Sequence, residues 1–369
     1  MDPDHNVGMT CLSGLTQVSS NLPGTHVHEQ ASRCFSTLCC LSLLFLSVAV
    51  TFFMECSKDS SNTYPYDTVV LPFVSEVIKF SVSMCLLLIK KDFQQKDFQQ
   101  TLVKAPTYFF RYSIPALCYI ISNNSAPLII RELGPTSHQI LNNLKILATG
   151  LLTHTVLRQK LSWLKWRALL LLLLGSALAQ LPADFKPEAK VNYVGYMFVF
   201  VSTFASGAGS VFSEKLLKEM DFDSIHVKNA KLYAFGVLFS FISLLSRRNF
   251  LTDIFEGFNA AAYAAAVTLA LSGLVTSAIL KYISSIAKCF VMSCSMLVVA
   301  LVHDGLRKEG ISTSLLLGMF LVSTSIVMYH KWHEQSWKST CCTKNLQQSS
   351  KRHRGIRLSI YDMPKDMYK

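Results

Sequence analysis

Three lysines interrupt, or lie at the edge of, segments that are otherwise apolar enough to cross a membrane: Lys79, Lys145 and Lys281. A lysine at the centre of a membrane helix costs roughly 2.5–3.5 kcal/mol on insertion scales, so a chain that carries several is expected to use them. Ammonium groups that share a polar cavity would bind an anion such as a phosphate. Lys281 has a second interpretation, because a lysine at the end of a span can extend to the membrane interface as an anchor.

An acidic residue accompanies the first of these lysines. Glu76 and Lys79 are three residues apart, so on a helix they share one face and partly neutralise each other. One interpretation is an internal ion pair that only lowers the cost of insertion. The other places Lys79 at a substrate phosphate and Glu76 in a gate or a supporting pair. The spacing alone does not choose between them.

Neutral polar side chains are concentrated in two neighbouring apolar segments. Tyr119 and Asn123 are four residues apart and therefore stack on one helix face, with Asn124 beside them. Hydrogen bonds between helices would explain such a group. The next segment adds a further polar set, namely His138, Gln139, Asn142, Asn143 and Lys145. Because bonds between helices would account for two of these at most, a polar cavity is the better explanation.

Ten candidate spans would position these side chains. Windows of about 20 residues locate them near 34–54, 69–89, 108–130, 135–157, 161–181, 193–213, 231–246, 260–280, 286–302 and 312–331. The span near 231–246 is short, and the span near 260–280 consists largely of weakly hydrophobic alanines. Short connections leave no room for a separate soluble domain. The sequence therefore predicts one all-α polytopic membrane domain over 34–331, between a disordered tail at 1–33 and a basic tail at 332–369.

The distribution of positive charge predicts the orientation in the membrane. One set of connections is rich in Lys and Arg and lies on the same side as the basic C-terminal tail, and positive residues stay cytosolic. All four tryptophans fall at the same ends of their spans. Both termini are therefore predicted to be cytosolic. The net charge of +12 then reflects topology, and no nucleic-acid partner is expected.

Sequence patterns for catalysis and for metal binding are missing. The eleven cysteines show no C-x-x-C pair, and the chain has no ATP-binding pattern, no G-x-S-x-G and no H-E-x-x-H. His303 and Asp304 form the one pair that could serve a membrane enzyme acting on lipid-linked sugar, which is a weak signal. We therefore expect no enzyme activity, no metal and no cofactor. Cys341 and Cys342 in the C-terminal tail are either palmitoylated or idle.

The ordered motifs resemble those of a known family. Glu76-Val77-Ile78-Lys79 is similar to the E-V-x-K signature in the second helix of nucleotide-sugar transporters, in the branch that contains the CMP-sialic acid, UDP-galactose and UDP-N-acetylglucosamine carriers. The similarity continues in the family's order over about 65–330. Its further fragments are Tyr119 to Asn124, Gln139-Ile140 with Leu144-Lys145-Ile146, Leu161 to Trp166, Glu214-Lys215, Lys228-Asn229 with Leu232 to Gly236, and Lys281-Tyr282.

This resemblance implies an architecture and an activity. The architecture is ten transmembrane helices in two inverted five-helix repeats, at about 34–181 and 193–331. The activity is exchange of a cytosolic nucleotide-sugar for a lumenal nucleoside monophosphate across the Golgi membrane, with the endoplasmic reticulum as second choice. A UDP-sugar is favoured and CMP-sialic acid is the other option. The partners are then these small molecules and the lipid bilayer, and a homodimer is left open.

The resemblance also implies roles for individual residues. Lys79, Lys145 and Lys281 would serve the phosphates. Tyr119, Asn123, Gln139, Asn229 and Tyr233 would shape the nucleotide or sugar pocket, and Glu76, Asn124, Asn143 and Glu214 would act in gating or support. The chain departs from the family where His138 replaces a common tyrosine and where Ser284-Ser285-Ile286-Ala287-Lys288 replaces D-N-I-x-K.

Two other functions are compatible with the same fold. The chain could be a scaffold or regulator that no longer transports, in which case loss of Lys79 and Lys145 would spare its role. It could also carry a metabolite that is not a nucleotide. For a nucleotide-sugar carrier, unpaired ammonium groups in an empty cavity would be costly, so the sequence predicts that the empty carrier returns slowly and that transport is exchange.

Overall fold

The fold is known from a computed structural model that describes residues 23–61, 63–89, 109–181, 192–219, 223–246, 255–307 and 312–330. Within these ranges the regular structure is helical and there is no strand. The main helices are α1 Pro23–Cys56, α2 Val70–Ile89, α3 Ser113–Asn142, α4 Lys145–Val156, α5 Trp163–Ala179, α6 Tyr193–Lys218, α7 Ile225–Leu245, α8 Ala260–Tyr282, α9 Ser285–Arg307 and α10 Thr313–His330. Helix α1 thus begins within the predicted N-terminal tail. The rest of that tail and the whole C-terminal tail, with Cys341 and Cys342, lie outside the described residues.

Eight helices in the described ranges are long and apolar enough to cross a membrane. They correspond to eight of the predicted spans. The remaining two predicted spans are helical, but neither consists of one unbroken helix as long as the other eight. The span at 135–157 is interrupted at Asn143 and Leu144, and the span at 161–181 contains the 17-residue α5. The multi-pass class is therefore established, whereas the count of ten crossings stays a prediction.

Helix α3 contains a sharp break that follows from its sequence. Gly134 has φ +79° and ψ 162°, a conformation that side chains disfavour, and Pro135 follows it. The chain therefore turns between a long helical segment that ends near Gly134 and a short one that reaches Asn142. This turn separates the predicted third span from the fourth.

Side-chain caps fix where several of the helices begin. Ser162, Asn192, Ser224 and Asn259 each precede a helix in extended conformation and accept a hydrogen bond from a backbone N–H three residues later. Such caps typically contribute about 1 kcal/mol each. Asn259 also donates its Nδ2 to the backbone oxygen of Ser57 at 3.0 Å, which joins the start of α8 to the connection after α1.

Helix pairing joins helices that are remote from each other in the sequence. The most extensive pairs are α3 with α6, α1 with α8 and α2 with α7, followed by α4 with α6, α2 with α8, α1 with α9 and α3 with α7. Small residues allow the closest approaches. A Cβ on Gly207 of α6 would lie 3.1 Å from the backbone nitrogen of Thr149 in α4. Consequently α2, α3, α6, α7, α8 and α9 can surround a common interior.

Candidate functional site

A large cavity lies between these helices. Its volume is about 610 Å³, which falls within the usual 300–1,000 Å³ of a small-molecule site. The charged side chains on its wall are Glu76, Lys79, Lys145 and Lys288. The wall also carries many hydroxyl groups, on Ser75, Ser122, Ser202, Ser206, Ser213, Ser240, Ser272, Thr276 and Ser277. We call this space the chamber.

Glu76 and Lys79 form an ion pair on the chamber wall. Lys79 Nζ lies 2.5 Å from Glu76 Oε1 and 4.8 Å from the ring centroid of Tyr233. Two glycines leave room for the pair. A Cβ on Gly236 would lie 2.5 Å from Glu76 Oε2, and one on Gly273 would lie 2.7 Å from Lys79 Cδ. The pair on α2 is therefore enclosed by notches in α7 and α8.

Lys145 occupies the first residue of α4, directly after the break in the predicted fourth span. Asn143 supports this break, because its Nδ2 donates to the backbone oxygens of Gln139 and Ile140 at 3.1 Å each. Lys145 itself makes no hydrogen bond or ion pair with another described residue. The break thus places an ammonium group without a carboxylate partner on the chamber wall.

Lys288 is the third lysine on the wall, and the sequence analysis did not select it. Its Nζ donates to Ser210 Oγ at 3.0 Å and lies 5.6 Å from the ring centroid of Tyr119. None of the carboxylates in the described residues forms an ion pair with it. Lys288 occupies the last position of the family's D-N-I-x-K motif, and this position could have identified it as a site residue. By its place near the start of a predicted span, it reads as one more positive charge in a connection.

Glu214 and its hydrogen-bonding partners lie at one end of the chamber, next to the wall residues Ser213 and Leu217. We call this end of the chamber the Lys218 end. Glu214 is fully buried, and it accepts hydrogen bonds from Lys218 Nζ and from the backbone nitrogen of Ser285, at 2.6 Å each. Lys218 Nζ also donates to the backbone oxygen of Ile283 at 2.7 Å. These bonds tie the end of α6 to the junction between α8 and α9.

Two further lysines are buried near the same end. Lys228 is 2% exposed and donates to the backbone oxygens of Leu216, Leu217 and Glu219 at 2.8–3.4 Å. Lys231 is 1% exposed and forms a close ion pair with Asp223. Both lysines lie near the start of α7 and stabilise the turn between α6 and α7.

The opposite end of the chamber extends beyond the helices. Tyr64 and Thr68, in the connection between α1 and α2, belong to its wall. We call this the Tyr64 end. The nearby wall carries Ser122, Asn123 and Ser240. The Glu55–Lys58 ion pair lies beside Tyr64, with Lys58 Nζ 5.6 Å from the ring centroid, but it joins the end of α1 only to the connection that follows.

The residues selected from the sequence take three kinds of position. Those on the chamber wall are Glu76, Lys79, Tyr119, Asn123, Lys145 and Tyr233. Those off the wall that make structural hydrogen bonds are Glu214, Asn124, which pairs with Ser243 at 2.8 Å, Asn229, which accepts a hydrogen bond from Ser277, and Asn143, which donates to backbone oxygens of its own helix. Two lie elsewhere. Gln139 is exposed, and Lys281 lies 5.5 Å from the ring centroid of Tyr282, off the wall.

Metal ligands do not cluster in the described part of the chain. A search of those residues finds no group of three or more His, Cys, Asp and Glu side chains that could hold a metal ion. The chemistry of the chamber therefore comes from ammonium groups, hydroxyls, amides and aromatic rings. Such a wall can bind an anionic organic molecule.

Comparison with known proteins agrees with this chemistry. A family model described as nucleotide-sugar transporter matches residues 31–330. CMP-sialic acid transporter 1 of Oryza sativa subsp. japonica is 30% identical over 290 residues, which cover 74% of this chain and 87% of the rice protein. The UDP-N-acetylglucosamine transporter of Homo sapiens is 29% identical over 309 residues, which cover 78% of this chain and 92% of the human protein.

A solved crystal structure also shares the fold. It matches with a TM-score of 0.61 at 13% sequence identity, over 82% of this chain and 98% of that one. At such low identity the likeness concerns the fold alone. The family model and the two relatives carry the functional assignment. Because both relatives are transporters, the expectation that the chain is not an enzyme is also supported. The chain belongs to the nucleotide-sugar transporter family.

Proposed function

We propose that this protein exchanges a cytosolic nucleotide-sugar for a lumenal nucleoside monophosphate. A UDP-sugar is the favoured substrate, and CMP-sialic acid is the other option. The observation that carries the proposal is the chamber itself. It combines a volume of about 610 Å³ with lysines from three helices, α2, α4 and α9.

The charge of the chamber wall suits such a substrate. Glu76 and Lys79 neutralise each other, which leaves the positive charges of Lys145 and Lys288. A nucleotide-sugar carries about two negative charges, and a lysine binds phosphate as a point charge without the fixed geometry of an arginine. Loose contacts of this kind favour a carrier that must release its substrate. The Tyr119 ring lies beside Lys288 and the Tyr233 ring beside Lys79, and both rings offer surfaces to a base or a sugar.

The same charges support exchange rather than one-way transport. When the chamber is empty, Lys145 and Lys288 have no carboxylate partner, and closing both gates around them would leave two uncompensated ammonium groups. A nucleoside monophosphate would compensate them on the return step. We therefore expect the loaded carrier to change conformation faster than the empty one.

The two ends of the chamber support alternating access. The Lys218 end is closed by bonds between α6, α8 and α9, whereas the chamber wall at the Tyr64 end includes the connection after α1. With both termini on the cytosolic side, as the positive residues predict, the Lys218 end faces the cytosol and the Tyr64 end faces the Golgi lumen. The conformation would then be the one that releases sugar nucleotide to the lumen.

The helix pairs support two inverted five-helix repeats. Suppose that α6 to α10 repeat the first five spans in order, so that a two-fold axis exchanges α1 with α6, α2 with α7, the third span (in α3) with α8, and the fourth span (in α4) with α9. The pair α1–α8 then corresponds to α3–α6, the pair α2–α8 to α3–α7, and the pair α1–α9 to α4–α6. The pair α2–α7 corresponds to itself. All of these pairs are in contact. Such symmetry is what lets related carriers rock one half against the other around a fixed site.

Uptake into reconstituted vesicles tests the proposal. Vesicles that contain the purified full-length protein are loaded with UMP, with CMP or with buffer, and entry of radiolabelled UDP-sugar or CMP-sialic acid is followed. We expect uptake to be at least tenfold faster with the matching trapped nucleotide. Equal rates with and without trapped nucleotide would rule out exchange. Absence of uptake and of nucleotide binding would favour the scaffold instead.

A further inference from the structure

A small recess opens from the chamber between α2, α3 and α7. Its volume is about 40 Å³. It shares Thr68, Pro72, Ile120, Asn123, Pro127 and Ser240 with the chamber wall, and Val69 and Asn124 complete it. Because most of its lining also faces the chamber, a group bound in the chamber can project a substituent into it.

The recess has an apolar side and a polar side. Val69, Pro72, Ile120 and Pro127 supply hydrocarbon, whereas Asn123, Ser240 and Thr68 supply an amide and two hydroxyls. A space of about 10–15 Å³ by this measure holds one water molecule, so the recess holds a group of roughly three heavy atoms. An acetyl group has that size, with a methyl for the apolar side and a carbonyl oxygen for a donor.

Two polar side chains of the recess keep their hydrogen-bonding capacity. Asn124 is committed to Ser243, which it bonds through both its Nδ2 and its Oδ1. Asn123 and Ser240, by contrast, form no hydrogen bond with another described residue, although Ser240 is only 2% exposed. Both side chains line the recess and can donate a hydrogen bond to a ligand there.

The recess lies at the right distance from the lysines for a sugar. Asn123 is one helical turn beyond Tyr119, whose ring centroid is 5.6 Å from Lys288 Nζ. Four residues advance about 6 Å along the helix axis. A hexose joined to a phosphate at Lys288 therefore reaches the recess with a substituent of its ring.

The polarity of the wall decides which half of the substrate lies on this side. Toward the Lys218 end the wall carries Leu217, Leu232 and Leu280, which suit a base. Toward the recess it carries Ser122, Asn123 and Ser240. A sugar ring presents hydroxyl groups, so it is better accommodated on the side of the recess.

We propose that this recess binds the acetamido group of an N-acetylated sugar, so that the carrier prefers a nucleotide N-acetylhexosamine to the matching nucleotide hexose. This inference rests on the proposed function, since it assumes a nucleotide-sugar in the chamber. The methyl group packs against Pro72 and Pro127, and the carbonyl oxygen accepts hydrogen bonds from the Asn123 amide and the Ser240 hydroxyl.

Binding of two matched ligands to the full-length protein tests the recess. UDP-N-acetylglucosamine and UDP-glucose differ at the sugar in the acetamido group alone, and UMP lacks the sugar. We expect the wild type to bind UDP-N-acetylglucosamine about tenfold more tightly than UDP-glucose, as followed by ligand-dependent thermal stabilisation. Ser240→Leu fills the recess and should weaken UDP-N-acetylglucosamine by about 10- to 100-fold, so that its advantage over UDP-glucose is lost.

Two further variants keep the test decisive. Ser246→Leu makes the same substitution at an exposed position after α7 and should preserve the preference. Asn123→Ala removes the amide without filling the space, and it should reduce the preference to less than threefold even if Ser240→Leu fails to fold. Equal binding of the two sugar nucleotides by the wild type, or equal loss of both in Ser240→Leu, would overturn the inference. Normal UMP binding in that case would leave the proposed function intact, whereas failure to bind UMP and CMP would remove the proposed function itself.

Discussion

Two groups of buried lysines have opposite surroundings. At the Lys218 end, Lys228 donates to three backbone oxygens and Lys231 pairs with Asp223. On the chamber wall, Lys145 has no hydrogen-bonding partner in the described residues, and the one partner of Lys288 among them is the Ser210 hydroxyl. The first group is satisfied by the protein, so its role is to hold the fold. The second group is left for an anionic ligand.

This difference shows that burial of a lysine does not by itself mark a binding site. Each ammonium group in a low-dielectric interior must be compensated, and the compensating group reveals its role. Lys79 is an intermediate case, because it lies on the chamber wall but is already paired with Glu76. The contrast leads to predictions in which loss of a structural lysine lowers stability and loss of a chamber lysine lowers transport.

The largest effect is expected for Lys231→Ala. The substitution leaves the Asp223 carboxylate without its main partner in a buried position, which typically costs 3–5 kcal/mol. Thermal unfolding of the detergent-solubilised protein should show this loss. The double variant Asp223→Asn with Lys231→Met should recover most of it. A single variant as stable as the wild type would contradict the structural role.

Lys145→Ala should reduce transport by about 100-fold with little change in stability. The substitution removes a chamber charge that compensates the substrate phosphate, and lost contacts of this kind typically cost 2–5 kcal/mol. Initial rates of nucleotide-sugar uptake measure the effect. Lys160→Ala, at an exposed position before α5, is the matched control and should transport normally. Normal transport by Lys145→Ala would show that this lysine does not serve the substrate phosphate.

Gly273→Ala tests whether the notch around Lys79 matters. The new Cβ would lie 2.7 Å from Lys79 Cδ, so the lysine must move away from Glu76 and Tyr233. Overpacking of this kind costs about 1–3 kcal/mol, and we expect about a tenfold loss of nucleotide affinity. Gly305→Ala is the control, because nothing lies within 4 Å of its Cβ. Equal behaviour of the two variants would show that Lys79 is not positioned by the notch.

Glu214→Gln should loosen the Lys218 end without unfolding the protein. The amide keeps the shape of the side chain but loses the charge that binds Lys218 and the Ser285 backbone. A loss of about 1.4 kcal/mol would make hydrogen exchange at residues 283–286 about tenfold faster. Glu219→Gln, which changes a half-exposed partner of Arg111, should leave that exchange unchanged. Unaltered exchange in Glu214→Gln would exclude this closure.

The smallest effect is expected for Gln139→Ala. Although the resemblance to the family suggested a place in the pocket, the side chain is exposed and off the chamber wall. Substitutions at such positions usually change stability by less than 0.5 kcal/mol. Uptake rates within twofold of the wild type are therefore expected. A loss as large as that of Lys145→Ala would mean that the chamber extends to Gln139 in another conformation.

The sequence predicted the helical membrane domain because long apolar segments have few alternatives in a bilayer. Its selection of Lys79, Tyr119, Asn123, Lys145 and Tyr233 rested on polar groups in those segments, and the structure places all five on one chamber wall. A hydropathy profile shows which polar residues interrupt an apolar segment. It does not show which side chain pairs with such a residue, because the partner is remote in sequence.

The residues that were missed or misplaced follow from local geometry. His138, Asn142 and Lys145 have spacings of four and three, which place them on one side of the chain, and all three line the chamber, whereas Gln139 does not. Lys281 and Lys288 lie on either side of the junction at Ile283, where φ is −120° and ψ is −101°. Helical spacing counted from Lys281 therefore does not predict which face of α9 Lys288 occupies. Lys288 therefore faces the chamber although the sequence analysis preferred Lys281.

The glycine notches restrict how the protein can move between its states. Glu76 and Lys79 project from α2 into the space that Gly236 leaves on α7 and Gly273 leaves on α8. If α2 slid along α7 or α8, these two side chains would collide with the backbone on either side of the glycines. A tilt of α2 about the Glu76–Lys79 pair causes no such collision. We therefore expect the pivot of any rocking motion to lie at the level of this ion pair.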